Sequence, residues 1–228
     1  MSFGLARGRE LEITGFGFTP ADLPPLDAGV VDLRAYFPVE RRTLPLEIEI
    51  GSGKGTFLVQ EGAARPEVNL AGMEWAGEFF RYAADRVRRS GLANVRLFNV
   101  DAGEFLRFRV ADAVCQALHI YFPDPWPKSR HHKRRIIQQK HLREFHRILQ
   151  PEAQVRIVTD HPGYWEWMQT EVQRVEDIFV REAFERPASA GEGEVVGTNF
   201  ERKYRREGRP FHAMVLRKRA PSPGENQS

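Results

Sequence analysis

The sequence predicts an α/β fold in which a mostly parallel sheet carries helices on both faces. Short apolar runs of strand character alternate with helical patterns from residue 44 onward, and this alternation is typical of parallel sheets. The chain has 228 residues, of which 41% are hydrophobic and 29% charged. That composition is sufficient for a folded core and excludes a mainly disordered chain.

The expected elements follow one another in a regular order. Each of the first strands ends at glycine, an acidic residue or proline, and a helical pattern follows most of them. Helices are expected from residue 56, up to residue 90, over 134–149 and after residue 160. Strands are expected at 44–50, 69–73, 94–100, 117–122, 154–160, 178–184 and 211–218.

The chain is expected to form one main domain with two appendages. Residues 1–43 contain four prolines and little periodicity, so we expect an N-terminal arm packed on the main domain, 44–219. Residues 220–228 are expected to be a disordered tail. The sequence has no apolar run of about 18 residues, as a membrane helix needs. It also shows no secretory signal and has a single cysteine. We therefore expect a cytoplasmic protein without disulfides or membrane contact.

Positive charge is concentrated in two blocks. Residues 128–135 contain five Lys/Arg and two His, and residues 202–209 contain five Lys/Arg, although the net charge is only +3. Such blocks favour a polyanionic partner, with nucleic acid the leading candidate. A solvated helix surface is the alternative that charge alone leaves open.

The ends of the first three predicted strands carry acidic residues. Glu49 precedes a glycine turn that includes Gly51 and Gly53, and this turn matches neither the phosphate-binding loop nor the dinucleotide fingerprint. Glycines let a ligand approach the backbone, and the acid favours a cationic ligand such as a sulfonium or ammonium group. Glu74 and Asp101 end the next two strands, in positions suited to a ribose and an adenine amine. Each can alternatively cap a helix. Over residues 44–160 the arrangement resembles the class I S-adenosylmethionine-dependent methyltransferases. This resemblance implies a Rossmann-like, seven-stranded sheet with an antiparallel last strand.

The fourth strand end is the most informative stretch. It reads FPDPWPKSRHHKRR, which places Asp124 in a proline-restricted loop directly before the basic block. With EIGSGKG, GMEWA, VTDHPGYWEWM and TNFERKYRREG, it resembles the bacterial tRNA (guanine-N7-)-methyltransferase family over residues 44–217. The resemblance implies methyl transfer from S-adenosylmethionine to N7 of guanine at position 46, in the variable loop of tRNA.

The resemblance also implies roles for particular residues, with Asp124 as the catalytic one. Cofactor contacts are expected from Glu49, Gly51, Gly53, Glu74, Asp101 and Asp124. Guanosine contacts are expected from Lys128, Asp160, Thr198, Asn199, Phe200 and Glu201. RNA contacts are expected from Arg130, His131, His132, Lys133, Arg134 and Arg135.

Two other functions remain open at this stage. One is methylation of an exocyclic amine, since those enzymes also carry an acidic or amide residue at the fourth strand end. The other is a non-catalytic RNA-binding protein on the same fold, although such a protein is expected to lose the cofactor acids, and all are present. His131 and His132 have no other ligand types beside them in the sequence, so no metal is expected. The sequence is compatible with a monomer or a homodimer.

Overall fold

The computed structural model describes residues 8–220, which form eight strands and six α-helices. The strands are β1 (Gly17–Phe18), β2 (Leu46–Ile50), β3 (Asn69–Met73), β4 (Val95–Phe98), β5 (Cys115–Tyr121), β6 (Leu149–Thr159), β7 (Phe179–Glu182) and β8 (His212–Lys218). The helices are α1 (Thr56–Ala64), α2 (Gly77–Arg89), α3 (Ala102–Arg109), α4 (Gln139–Ile148), α5 (Pro162–Gln173) and α6 (Asn199–Arg206). None of the helices in residues 8–220 is long and apolar enough to cross a membrane.

All eight strands form one sheet in the order β1-β4-β3-β2-β5-β6-β8-β7. The pairs from β1 to β6 are parallel, and β8 runs antiparallel to both β6 and β7. This confirms the predicted mostly parallel sheet with an antiparallel last strand.

The sheet has one more strand than predicted, because the arm contributes β1 at its edge. Two residues are too short to produce an alternating pattern in the sequence. Gly17 fits the position because a Cβ there would lie 2.8 Å from Cβ of Ala84 on α2. The strand therefore depends on a tertiary contact that the local sequence does not reveal.

Helices cover both faces of the sheet, as predicted. Helices α1 and α2 pack on one face through buried side chains such as Phe57 and Phe80. Helices α3, α4 and α5 pack on the other face through Leu106, Phe145 and Met168. The central strand β2 is buried along its whole length, as expected for a strand covered on both sides.

The helix predicted over 134–149 begins later, at Gln139. A 3₁₀ helix occupies Ser129–Arg134, and the chain is extended at Arg135. Ile137 is fully buried, and its backbone N–H donates to the Tyr164 hydroxyl at 3.2 Å. This buried anchor separates the basic segment from α4.

The N-terminal arm contacts the sheet edge through Arg96 of β4. Its guanidinium donates to the Tyr36 carbonyl at 2.9 Å and lies over the rings of Phe16 and Phe37. Phe18 packs edge-to-face on Tyr36. The boundary at residue 44 stays a prediction, and the predicted tail, 220–228, lies almost wholly outside the described residues.

Candidate active site

The sheet order reverses between β2 and β5, since β3 and β4 lie on one side of β2 and β6 on the other. Ligands of open α/β sheets bind at such a point, beyond the carboxyl ends of the strands. Glu49, Glu74, Asp101 and Asp124 lie at or just after the ends of β2, β3, β4 and β5. The topology therefore gathers all four predicted acids at one edge of the sheet.

The glycine turn after β2 is built around Glu74. Gly51, Gly53 and Gly55 all have positive φ angles, of 77°, 52° and 65°, which glycine adopts without strain. Glu74 Oε2 accepts from the Gly53 N–H, and Oε1 accepts from the Ala76 N–H, both at 2.8 Å. Burial and the charge of Asp124 raise the pKa of Glu74 despite these bonds. Glu74 thus ties the turn after β2 to the end of β3.

Glu49 is a buried carboxyl group with one oxygen unsatisfied. It is 4% exposed, and within the described residues neither its Oε2 nor the nearby buried Ser52 Oγ has a hydrogen-bond partner. Burial, with a contribution from the charge of Glu74, raises the pKa of Glu49 well above its usual value. An unpaired buried polar group is costly unless a ligand satisfies it. Together with the glycine turn, this carboxyl group fits a cationic ligand such as S-adenosylmethionine.

Asp101 lies at the same edge but is exposed and caps α3. One carboxylate oxygen accepts from the Glu104 N–H at 3.1 Å. Capping by aspartate is common at helix N-termini and was the alternative that the sequence left open. In the structure Asp101 therefore has a structural contact of its own, beside any contact with a ligand.

The loop after β5 is held in an uncommon backbone conformation. Phe122 and Trp126 have φ angles of 53° and 43°, which for non-glycine residues cost on the order of 1–3 kcal/mol each. Between them, Asp124 is exposed. Arg135 Nε donates to the Pro125 carbonyl at 2.8 Å. Strain of this kind clusters at functional sites.

The basic segment divides into exposed and buried members. The exposed ones are Lys128, Arg130, Lys133 and Arg134. Arg135 is only 3% exposed, and its guanidinium lies 4.8 Å from the Tyr164 ring centre and 4.9 Å from that of Trp167.

The two histidines of this segment are half-buried. The His131 ring packs edge-to-face on Trp126, and the His132 ring packs in the same way on Trp167. The sequence prediction grouped both histidines and Arg135 with the exposed cations. The apolar Ile136 and Ile137 that follow Arg135 were the available signal that the chain turns inward there.

Helix α6 brings the predicted guanosine-contacting residues next to the glycine turn. Thr198 caps the helix, Asn199 is exposed, and the Phe200 ring lies 3.4 Å from where a Cβ on Gly53 would be.

Glu201 differs from its neighbours because it is fully buried. Its carboxylate accepts from the backbone N–H groups of Val195, Val196 and Gly197 and pairs with Arg205. Burial opposes its ionisation, but these bonds prevail and lower its pKa. In this structure Glu201 shapes the loop before α6 through hydrogen bonds within the chain. The guanosine contact expected of it stays a prediction.

Asp160, at the end of β6, is also close to the site. It is 9% exposed, and its Oδ2 lies 2.6 Å from Arg209 Nη1. Sequence reasoning missed Arg209 and Tyr204, because a cation and an aromatic residue within a basic block show no distinct pattern. Among residues 8–220, no group of three or more His, Cys, Asp and Glu side chains is placed to hold a metal ion.

Comparisons with known proteins identify relatives of this chain. Residues 43–214 match the family model described as putative methyltransferase. The tRNA (guanine-N(7)-)-methyltransferase of Halorhodospira halophila is 34% identical over 227 residues, covering 96% of this chain and 93% of the relative. The enzyme of the same name from Streptococcus thermophilus is 34% identical over 170 residues, covering 75% of this chain and 79% of the relative.

Among solved structures, the antibiotic-resistance methyltransferase Kmr aligns with a TM-score of 0.53 at 16% identity, covering 85% of this chain and 96% of that one. This likeness shows the fold alone. The sequence matches extend over the glycine turn, the four acids and the loop after β5, and on their strength the chain belongs to the tRNA (guanine-N7-)-methyltransferase family.

Proposed function

We propose that this protein transfers a methyl group from S-adenosylmethionine to N7 of a guanine in tRNA, at position 46 of the variable loop. The observation that carries the proposal is the convergence of four carboxyl groups beyond the ends of β2 to β5 beside an exposed basic segment. The names of the relatives support the reaction. A tRNA substrate also implies action in the cytoplasm.

The cofactor is held by the acids and the glycine turn. Glu49, whose buried Oε2 lacks a partner, faces the cationic part of the cofactor. Glu74 accepts from the ribose hydroxyls, and Asp101 accepts from the adenine amine. Gly51 and Gly53 leave room for the ligand because they have no Cβ. When bound, S-adenosylmethionine supplies an activated methyl group on a sulfonium sulfur.

The chemistry requires alignment more than proton transfer. N7 of guanine has a free lone pair and no proton, so no general base is needed. Holding two reactants in line can contribute about 7–11 kcal/mol to lowering a barrier. Asp124, exposed in the constrained loop after β5, orients the guanine and stabilises the positive charge that develops on the purine.

The substrate enters from the side of the basic segment. Lys128 and Asp160 contact the guanosine, together with Thr198, Asn199 and Phe200 at the start of α6. Glu201 supports this helix from beneath, in keeping with its burial. The exposed Arg130, Lys133 and Arg134 contact phosphates, His131 and His132 flank them, and Arg135 supports the loop.

The test is methylation of unmodified tRNA, followed by mapping of the N7-methylated position through cleavage. Wild type is expected to methylate one guanine in the variable loop. Asp124→Ala is expected to abolish turnover and to keep its melting temperature, because the side chain is exposed. The control Asp177→Ala removes an exposed acid that pairs with Arg143. It is expected to remain active. Activity of Asp124→Ala within a few-fold of wild type would contradict the catalytic assignment, and methylation at another atom would contradict the reaction.

A further inference from the structure

The carboxylate of Asp160 is paired with a guanidinium group. Arg209 Nη1 lies 2.6 Å from Asp160 Oδ2, and Arg209 Nη2 lies 2.7 Å from Glu207 Oε2. The same guanidinium lies over the ring of Tyr204, 4.3 Å from its centre. Asp160 is 9% exposed, whereas the Arg209 side chain is 43% exposed. A residue expected to contact the guanosine is thus covered by a cation from the chain itself.

The end of α6 places this cation. Gly208 has a φ angle of 69°. Its N–H donates to the Arg205 carbonyl, while the N–H of Arg209 donates to the Tyr204 carbonyl. These two bonds define a Schellman motif, which turns the chain back over the last helical turn. The turn brings Arg209 above Tyr204, so the stacked pair is set by the helix ending and not by side-chain rotamers alone.

Tyr204 is linked to Asp160 through Arg209, whose guanidinium contacts both the ring and the carboxylate. Burial, followed by the charge of Asp160, raises the pKa of its phenol, although Arg209 opposes the shift. The ring also packs on Phe122 of the loop after β5 and on Phe200, with centres 5.8 and 6.1 Å apart. Tyr204 therefore provides an aromatic surface beside the loop after β5 and beneath the guanidinium that pairs with Asp160.

A guanidinium and a guanine base share the chemistry that this surface recognises. Both are planar, both stack on aromatic rings, and both present adjacent N–H donors to a carboxylate. In guanine those donors are N1–H and the 2-amino group. We propose that Arg209 occupies the position of the substrate guanine in the free protein. The incoming guanine then displaces it, stacks on Tyr204 and donates to Asp160.

This inference rests on the proposed function and adds to it a means of substrate selection. A base that lacks the N1–H and 2-amino donors cannot replace the hydrogen bond that Arg209 makes to Asp160. Such a base therefore binds less tightly when it displaces Arg209. A site that is closed part of the time binds substrate with correspondingly lower apparent affinity. Because exposed ion pairs are weak, the closed state is expected to reduce kcat/KM about two- to five-fold.

The first experiment compares Arg209→Ala with Arg206→Ala in steady-state methylation of tRNA. Both remove one positive charge near the end of α6, but Arg206 bonds the carbonyl of Arg202 and not Asp160. Arg209→Ala is expected to raise kcat/KM about two- to five-fold relative to Arg206→Ala. Guanidinium chloride at millimolar concentration should inhibit Arg209→Ala competitively with tRNA, and ammonium chloride at equal ionic strength should not. A kcat/KM for Arg209→Ala at or below that of Arg206→Ala would overturn the displacement.

The second experiment changes the base and measures recognition by Asp160. Inosine lacks the 2-amino group but keeps N7, so tRNA with inosine at the target position can still be methylated. Wild type is expected to prefer guanine at least about ten-fold in kcat/KM, as for a hydrogen bond to a charged group. In Asp160→Ala this preference for guanine should disappear. Tyr204→Leu should lose activity on both bases, whereas Tyr204→Phe, which keeps the aromatic ring, should remain active on both. Equal use of inosine and guanine by wild type would overturn the recognition.

The two hypotheses fail in different ways. If wild type does not methylate N7 of guanine in tRNA at all, the proposed function is wrong. If wild type does so while Arg209→Ala, guanidinium and inosine have no effect, only the displacement is wrong. The comparison of inosine with guanine uses the wild-type protein, so it tests the recognition by Asp160 even if a variant fails to fold.

Discussion

Arg135 shows how a residue's environment can change the interpretation of its charge. It lies within the basic block, yet its guanidinium is buried between the rings of Tyr164 and Trp167. Its Nε donates to the carbonyl of Pro125, the residue after Asp124. Burial lowers its pKa. These contacts make Arg135 a positioning residue for the loop that carries Asp124.

We therefore expect Arg135→Ala to lower kcat at least about ten-fold, since small misplacements of reacting groups are costly. KM for tRNA and its salt dependence should change little. Lysine lacks the planar guanidinium that stacks between two rings, so Arg135→Lys should restore only part of kcat. The control is Lys133→Ala, whose exposed side chain should affect tRNA affinity instead. A weaker salt dependence with unchanged kcat in Arg135→Ala would mean that Arg135 contacts RNA.

Strand β2 places two glutamates on the same face in opposite surroundings. Glu47 bonds both His119 and Arg65, each at 2.8 Å. Burial opposes its ionisation, but these partners prevail and lower its pKa to about 2. Glu49, two residues on, has a buried oxygen without a partner, and burial raises its pKa. One strand thus carries a stabilising carboxylate, Glu47, and a destabilising one, Glu49.

The two glutamates should have opposite effects on thermal stability. Because the pKa of Glu49 is raised in the folded protein, Glu49 lowers the free energy of unfolding increasingly as the pH rises above 4.5, the usual pKa of a glutamate. Without cofactor, Glu49→Gln should therefore raise the melting temperature, and more so at pH 8 than at pH 5. A gain of 1 kcal/mol corresponds to about 2–4 °C for a chain of this size. The same variant should lose the stabilisation that S-adenosylmethionine gives wild type.

Glu47→Gln serves as the matched comparison. The stability that Glu47 contributes is present above its usual value of 4.5 and is lost as pH falls toward about 2. The substitution should therefore lower the melting temperature at neutral pH, and its effect should shrink in acid. Differential scanning calorimetry from about pH 2 to pH 8 gives both profiles, since the effect of Glu47 is lost only between pH 4.5 and about 2. A melting temperature for Glu49→Gln below that of wild type at pH 8 would contradict the argument.

Across the whole molecule, charge is segregated around one edge of the sheet. The four acids gather beyond the ends of β2 to β5, and the exposed cations Lys128, Arg130, Lys133 and Arg134 follow the last of them. This separation allows the chain to bind a cationic cofactor and a polyanion side by side. The proposed function therefore predicts that substitutions in the basic segment change tRNA affinity without changing cofactor affinity.

Neutralising Lys133 and Arg134 together should weaken tRNA binding and flatten its dependence on salt. Each lost phosphate contact reduces the log–log slope by about 0.7–0.9. Cofactor affinity should be unchanged. The control, Arg174→Gln with Arg219→Gln, removes equal charge at the opposite edge of the sheet, where α5 and β8 end. Binding measured over a salt series distinguishes them, and equal slopes for the two double variants would remove this segment from the interface.

Much of this protein was determined by local sequence. Apolar runs and turn residues predicted the parallel sheet. The positions of the four acids at successive strand ends predicted that they gather at one edge, because parallel strands carry their carboxyl ends to the same edge. The loop around Asp124 was evident from its prolines and from the motif that carries the family resemblance. The strands, the helices and the loop after β5 depend on residues that are close together in the sequence. The order of strands and helices follows from the hydrophobic periodicity.

Long-range packing determines which of the charged residues are buried and which are exposed. Arg135 and Glu201 sit among exposed neighbours in the sequence, but contacts from α5 and from the loop before α6 bury them. Arg209 covers Asp160 across 49 residues of chain, and β1 joins the sheet edge through the packing of Gly17 on Ala84. Each depends on partners distant in the sequence. Local patterns record the propensity of a segment, whereas burial and ion pairing depend on what the rest of the fold brings against it.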